Sequence, residues 1–174
     1  MKLIIANIIG FIAFIVSLIA YHRKTKKEIF ENMVITNVLD IIHYLLLSAY
    51  SGCFTKIIAL IRNIVIIKKE RIQWLSSNYC LILFIIIYII SGIFTFTNIW
   101  SIFCIMAAII YIILCWNGNE LQVKKSAFFC YFLWLIYNIS VQSYAGIVSN
   151  IISIISTFIA LKLEKRNNEK DYQV

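Results

Sequence analysis

Apolar residues in this chain gather into runs of membrane-crossing length, separated by short polar stretches that carry most of the charge. A bilayer crossing needs ~20 mainly apolar residues. Runs over about 3–20, 35–49, 53–67, 79–94, 98–115, 126–142 and 147–163 therefore predict seven helices. The third is short for a span unless Lys68 and Lys69 snorkel to the headgroups. The first follows Lys2 like a secretory signal, yet no small-x-small cleavage site follows and the chain goes straight to Tyr21-His22-Arg23-Lys24, so it reads as a retained helix. Trp74, after the second basic link, suits an interfacial anchor.

The pattern also repeats. Asp40 to Ile67 and Trp134 to Leu163 each consist of two apolar runs about a short turn, and a shift of about 94 positions lays Tyr50-Ser51-Gly52 on Tyr144-Ala145-Gly146 and Lys68 on Lys162. An apolar run precedes each copy, so the expected repeat unit is a triple helix. The chain then divides into a first unit (1–69), a linker with helix four (70–96), a second unit (97–163) and a charged, mobile cytoplasmic tail (164–174).

Orientation follows from the basic residues. They sit in the first link (Arg23, Lys24, Lys26, Lys27), the third (Lys68, Lys69, Arg71), the fifth (Lys124, Lys125) and at the end of the chain (Lys162, Lys165, Arg166, Lys170), while the opposite side has only Lys2. Seven crossings with the N-terminus outside and the C-terminus in the cytoplasm satisfy the positive-inside rule at every loop. Helices one and five then enter from the same side, which makes the units parallel bundles with helix four as the return crossing. Transporters reuse that layout, with the substrate path between the halves.

Composition agrees with lipid as the solvent. The 174 residues are 62% hydrophobic and 14% charged, without a proline, at mean hydropathy +0.90; soluble domains are roughly half apolar and a quarter charged. The net charge of +8 lies between hydrophobic runs rather than on a basic face, which argues against nucleic acid. Five cysteines are scattered without a C-x-x-C pair or a nearby His at metal spacing, so neither a disulfide framework nor a metal is expected. No cofactor motif, phosphate-cradling loop, H-E-x-x-H or nucleophile elbow occurs, and the chain does not read as an enzyme.

Ionisable residues within the runs are Asp40, His43, Lys56 and Arg62. A hairpin turning at Ser51 sets Asp40 and Arg62 at equal distance from the turn, and an unpaired charge at mid-bilayer costs ~2.5–3.5 kcal/mol, so the two are expected to pair. Such a bridge either pins two helices or serves an ion or substrate path. His43 shares a face with Asp40 and either joins a proton relay with Arg62 or sits neutral between helices. Lys56, one turn from Gly52, is expected to snorkel outward. The second unit offers Asn138, Gln142 and Asn150, by default interhelical glue. Trp134 and Asn138 share a helix face and form an aromatic platform beside an amide, suited to a small polar solute.

From the first helix to Arg166 the chain resembles the YgjV family of bacterial inner-membrane proteins, in His43-Tyr44, Tyr50, Ile61-Arg62, Trp134, Asn138 and Gly146. Asp40 and Lys56 depart from that pattern. The implied plan is similar to SWEET facilitators and PQ-loop transporters, and the Trp134/Asn138 pair resembles PnuC-type vitamin transporters. That layout implies transport and self-association, although no helix carries G-x-x-x-G, and the lack of proline rules out gating through proline kinks. The expectation is an all-α inner-membrane protein: two parallel triple-helix bundles joined by a linker helix, with His43, Arg62, Trp134 and Asn138 along a small-solute path. Its partners would be the bilayer, the solute and a second copy. The other reading is a non-transporting structural or partner-binding protein whose polar residues only hold helices together.

Overall fold

Two capping boxes start helices well ahead of the hydrophobic runs. In the computed structural model, which describes residues 2–21, 23, 25–69 and 71–171, Thr25 Oγ1 accepts the Glu28 N–H and the Glu28 carboxylate accepts the Thr25 N–H, opening α2 (Lys26–Leu46). Asn119 and Gln122 do the same for α6 (Glu120–Ser140). Both helices thus absorb stretches that the apolar pattern alone leaves as links. The other helices are α1 (Lys2–Tyr21), α3 (Tyr50–Lys68), α4 (Asn78–Phe94), α5 (Ser101–Trp116) and α7 (Tyr144–Asp171), with a 3-10 turn at Gln73–Ser76 that leaves Trp74 exposed.

The described residues are all-helical, without a strand. Lys2–Ala20, Lys26–Leu46 and Tyr50–Lys68 are long and apolar enough to cross a membrane, and Asn78–Phe94, Ser101–Trp116 and Tyr144–Ile159 are shorter apolar helices. Residues 164–171, within the stretch read as a charged tail, continue α7 to Asp171; residues 172–174, with Met1, His22, Lys24 and Glu70, lie outside the described residues.

Large aliphatic side chains face outward and small ones face in. On α1, Ile4, Ile8, Ile12, Ile15 and Ile19 are exposed while Ala6, Ala13 and Ala20 are buried. Small residues let backbones approach closely where lipid supplies no hydrophobic drive between helices. A Cβ on Gly10 would stand 2.7 Å from Ala145 Cβ and 2.9 Å from the His43 ring, so only glycine lets α1 reach both α2 and α7 there. Packed neighbours are α1 with α2 and α7, α3 with α2, α4 and α5, α4 with α5, and α6 with α5 and α7.

Both helical hairpins close in the same way. Ser48, at φ 55°, follows α2, and Gln142, at φ 54°, follows α6. Ala49 N–H donates to Tyr44 O (2.9 Å) and Ser48 N–H to Leu45 O (3.1 Å); Ser143 N–H donates to Asn138 O (3.0 Å) and Gln142 N–H to Ile139 O (3.3 Å). These are paired Schellman closures with a left-handed residue that is not glycine. At the far ends, Lys26 Nζ donates to Gly118 O (2.7 Å) and Lys69 Nζ to Trp116 O, placing two cations on the carbonyl end of α5.

Candidate functional site

A cavity of about 150 Å³ opens between α1, α2, α3, α5, α6 and α7, and His43, Arg62, Trp134 and Asn138 all line it, together with Asp40. The residues singled out from the sequence therefore share one chamber. Their partners differ from those expected.

Asp40 does not pair with Arg62. Its carboxylate lies 2.6 Å from Lys56 Nζ, which also sits 4.6 Å above the Trp134 ring, so Lys56 faces the cavity instead of snorkelling outward. The reason is the turn. With the left-handed residue at Ser48 instead of Ser51, Asp40 and Lys56 are the two residues equidistant from the bend, and Arg62 falls deeper along α3. Gln142 likewise forms the second bend and is exposed, so it is no intramembrane glue.

His43 is fully engaged. Nδ1 lies 2.6 Å from Ala6 O, which can only accept, so Nδ1 carries the proton. Nε2, 2.7 Å from Ser143 Oγ, then accepts from that hydroxyl, and the same oxygen accepts Gly146 N–H at 3.2 Å. A neutral imidazole satisfies every group in this chain. Neither Asp40 nor Arg62 bonds to it among the described residues, which removes the relay. Instead His43 ties α2 to α1 and α7.

Beside it, Tyr44 O–H donates to Asn138 Oδ1 (2.7 Å), and the Tyr44 ring stacks on Trp134 at 5.8 Å and 25°. Gly52 N–H donates to Tyr137 Oη (2.7 Å), whose own proton reaches Ala49 O (3.5 Å). These bonds cross from α2–α3 to α6 within two turns of the hairpin bends, and Tyr44, Trp134 and Asn138 also line the cavity.

Deeper along α3, Arg62 is 4% exposed and has only neutral partners. Nε and Nη2 donate to Asn63 Oδ1 (3.1 and 2.8 Å), Nη1 to Tyr88 Oη (3.4 Å), and the guanidinium lies 4.8 Å over the Tyr111 ring. No carboxylate pairs with it among the described residues. A cation–π contact returns about 0.5–2 kcal/mol, whereas the effective penalty for burying an ion is several kcal/mol, so the contact alone does not balance the charge. Asn37, Asn63 and Asn150 also line the cavity, and the Nδ2 of each is buried without a protein acceptor.

Asn37, Asn63 and Tyr111 were not evident from the apolar pattern. Asn63 follows Arg62 directly and Asn37 lies one turn before Asp40, which is the signal the sequence held for them. No group of three His, Cys, Asp or Glu among the described residues is arranged to hold a metal.

A family described as Imp-YgjV, bacterial inner membrane protein, matches residues 4–167. The chain belongs to this family. No curated protein and no solved structure matches it.

Proposed function

We propose that this Imp-YgjV member is a small-solute transporter or facilitator of the bacterial inner membrane, with its path running through the cavity between α1–α3 and α5–α7. The observation that carries the reading is the convergence of His43, Arg62, Trp134 and Asn138 on one chamber that also holds a charged pair. Polar and ionisable groups at membrane depth are costly and mark substrate or ion pathways.

In this reading the halves are copies of one triple-helix unit with α4 as the crossing between them. The support is reciprocal. His43 bonds to Ser143, and the residue that the repeat lays on His43, Tyr137, bonds to Ala49, which the repeat lays on Ser143. The distribution of basic residues supports an N-terminus outside and a C-terminus in the cytoplasm. A self-associating chain, with no chemical step, completes the proposal.

Uptake into proteoliposomes against sugars, amino acids, vitamins and organic acids tests it. Arg62→Ala and Asn138→Ala should each lower any uptake that the wild type supports; uptake unchanged in both contradicts the path. A second reading, a non-transporting structural or partner-binding protein, is favoured by the His43, Tyr44 and Tyr137 bonds that hold the halves together at one end. It predicts lowered stability in those variants, flux by none, and a partner that co-purifies in fixed stoichiometry.

A further inference from the structure

We infer that the cavity is a binding site for a small carboxylate, seated on Arg62. This rests on the reading of the cavity as a solute site and adds the chemistry of the solute.

The argument starts from charge. Asp40 and Lys56 neutralise each other at 2.6 Å, and a neutral His43 satisfies its contacts with Ala6 O and Ser143 Oγ without a charge. Arg62 is therefore the unbalanced charge among the described residues that line the cavity. Its bonds go to an amide oxygen and a phenol, neither of which carries a countercharge.

The second observation is the excess of donors. Asn37 on α2, Asn63 on α3 and Asn150 on α7 line the same cavity, and the Nδ2 of each is buried and meets no protein acceptor. The residues themselves are 6%, 1% and 6% exposed. Buried donors left unmade are costly, and three such residues lining one cavity with an unbalanced guanidinium call for a ligand rich in acceptors. A cation would be repelled by Arg62. A neutral polyol could satisfy the amides but would leave the charge unbalanced. A carboxylate does both, since it brings the countercharge and its oxygens have lone pairs for the amides and for the guanidinium N–H groups that Asn63 and Tyr88 leave over.

Size sets the rest. A cavity of about 150 Å³ is comparable to one that accepts a benzene-sized molecule. Acetate, lactate and pyruvate fall within it, and a disaccharide does not.

The test is equilibrium binding to the purified full chain in detergent, read by thermal shift and calorimetry at fixed ionic strength, with lactate against its uncharged isostere lactamide, and with acetate, pyruvate and inorganic phosphate beside them. Expected are a stabilising shift with at least one carboxylate, none with lactamide, and a loss of affinity of at least about tenfold in Arg62→Gln with partial recovery in Arg62→Lys. Should Arg62→Gln not fold, Asn150→Leu, which keeps the volume and removes the donor, should weaken the same carboxylate. Equal shifts by lactate and lactamide, binding by phosphate alone, affinity unaffected by these substitutions, or no shift with any carboxylate would each overturn the inference. Carboxylate binding without flux in proteoliposomes would sink the transport proposal and leave this one standing; flux of a neutral solute without carboxylate binding would do the reverse.

Discussion

Tyr44 on α2 donates its phenolic proton to Asn138 Oδ1 on α6 across 2.7 Å, and the two residues stand 94 positions apart. Each is also the residue whose backbone carbonyl closes its own hairpin, Tyr44 O accepting from Ala49 N–H and Asn138 O from Ser143 N–H. The contact thus joins the closing residues of the two bends and fixes how the hairpins meet.

Tyr44→Phe removes the donor and leaves Asn138 Oδ1 without that partner. An unsatisfied buried polar group costs about 1–3 kcal/mol, so the free energy of unfolding in detergent should fall by that amount. Asn138→Leu removes the other partner, and the double variant should cost less than the sum of the singles, with a coupling of about 1 kcal/mol in a double-mutant cycle. Strict additivity would show that the bond carries no energy.

Asp40→Asn leaves Lys56 facing the cavity without its carboxylate. Breaking a buried pair costs about 3–5 kcal/mol; with side chains 19% and 17% exposed for Lys56 and Asp40, a loss of about 1–3 kcal/mol is expected after allowing for solvent screening. The double variant Asp40→Asn/Lys56→Gln should recover most of it. Denaturation of the three proteins side by side checks the ordering, and a double variant no better than Asp40→Asn would contradict the pairing.

Gly52→Ala should be destabilising although alanine is the better helix former. Its Cβ would lie 2.8 Å from Tyr137 Cε1, and overpacking of a tight contact costs about 1–3 kcal/mol. Tyr137→Ala in the same chain should relieve the clash, so the second substitution should cost less in the Gly52→Ala background than in the wild type. Thermal unfolding reads both.

Ser48→Gly and Gln142→Gly should each stabilise the protein. Both residues hold positive φ, a conformation that costs an L-residue about 1–2 kcal/mol and glycine almost nothing. Gains of about 0.5–1 kcal/mol are expected, since glycine loses more freedom on folding. A loss at both positions would show that the bends are built differently.

The helical runs were legible because lipid imposes them: a segment that crosses hydrocarbon must be apolar over its length, whatever it packs against. The family was legible for a similar reason, in residues such as His43, Arg62, Trp134 and Asn138 that are expensive at such depth. Partners were not. The turn residues Ser51 and Gly52 drew the expected bend to Ser51, yet the bend lies at Ser48, and Gly52 instead admits the Tyr137 ring against α3. Shifting the bend by so little exchanges Arg62 for Lys56 as the partner of Asp40. The amides of Asn37 and Asn63 stayed hidden because an amide inside a helix reads as glue until the cavity in front of it is seen.

The most direct test of the central claim, that the chamber between the halves admits water-soluble molecules, is thiol labelling in membranes. In a background with the native cysteines replaced, Ser149→Cys and Asn37→Cys, which line the cavity, are compared with Ile61→Cys, whose side chain faces outward. The cavity positions should react with a small membrane-impermeant thiol reagent and Ile61→Cys should stay inert. Cavity cysteines as unreactive as the outward one, in vesicles of either orientation, would contradict the account.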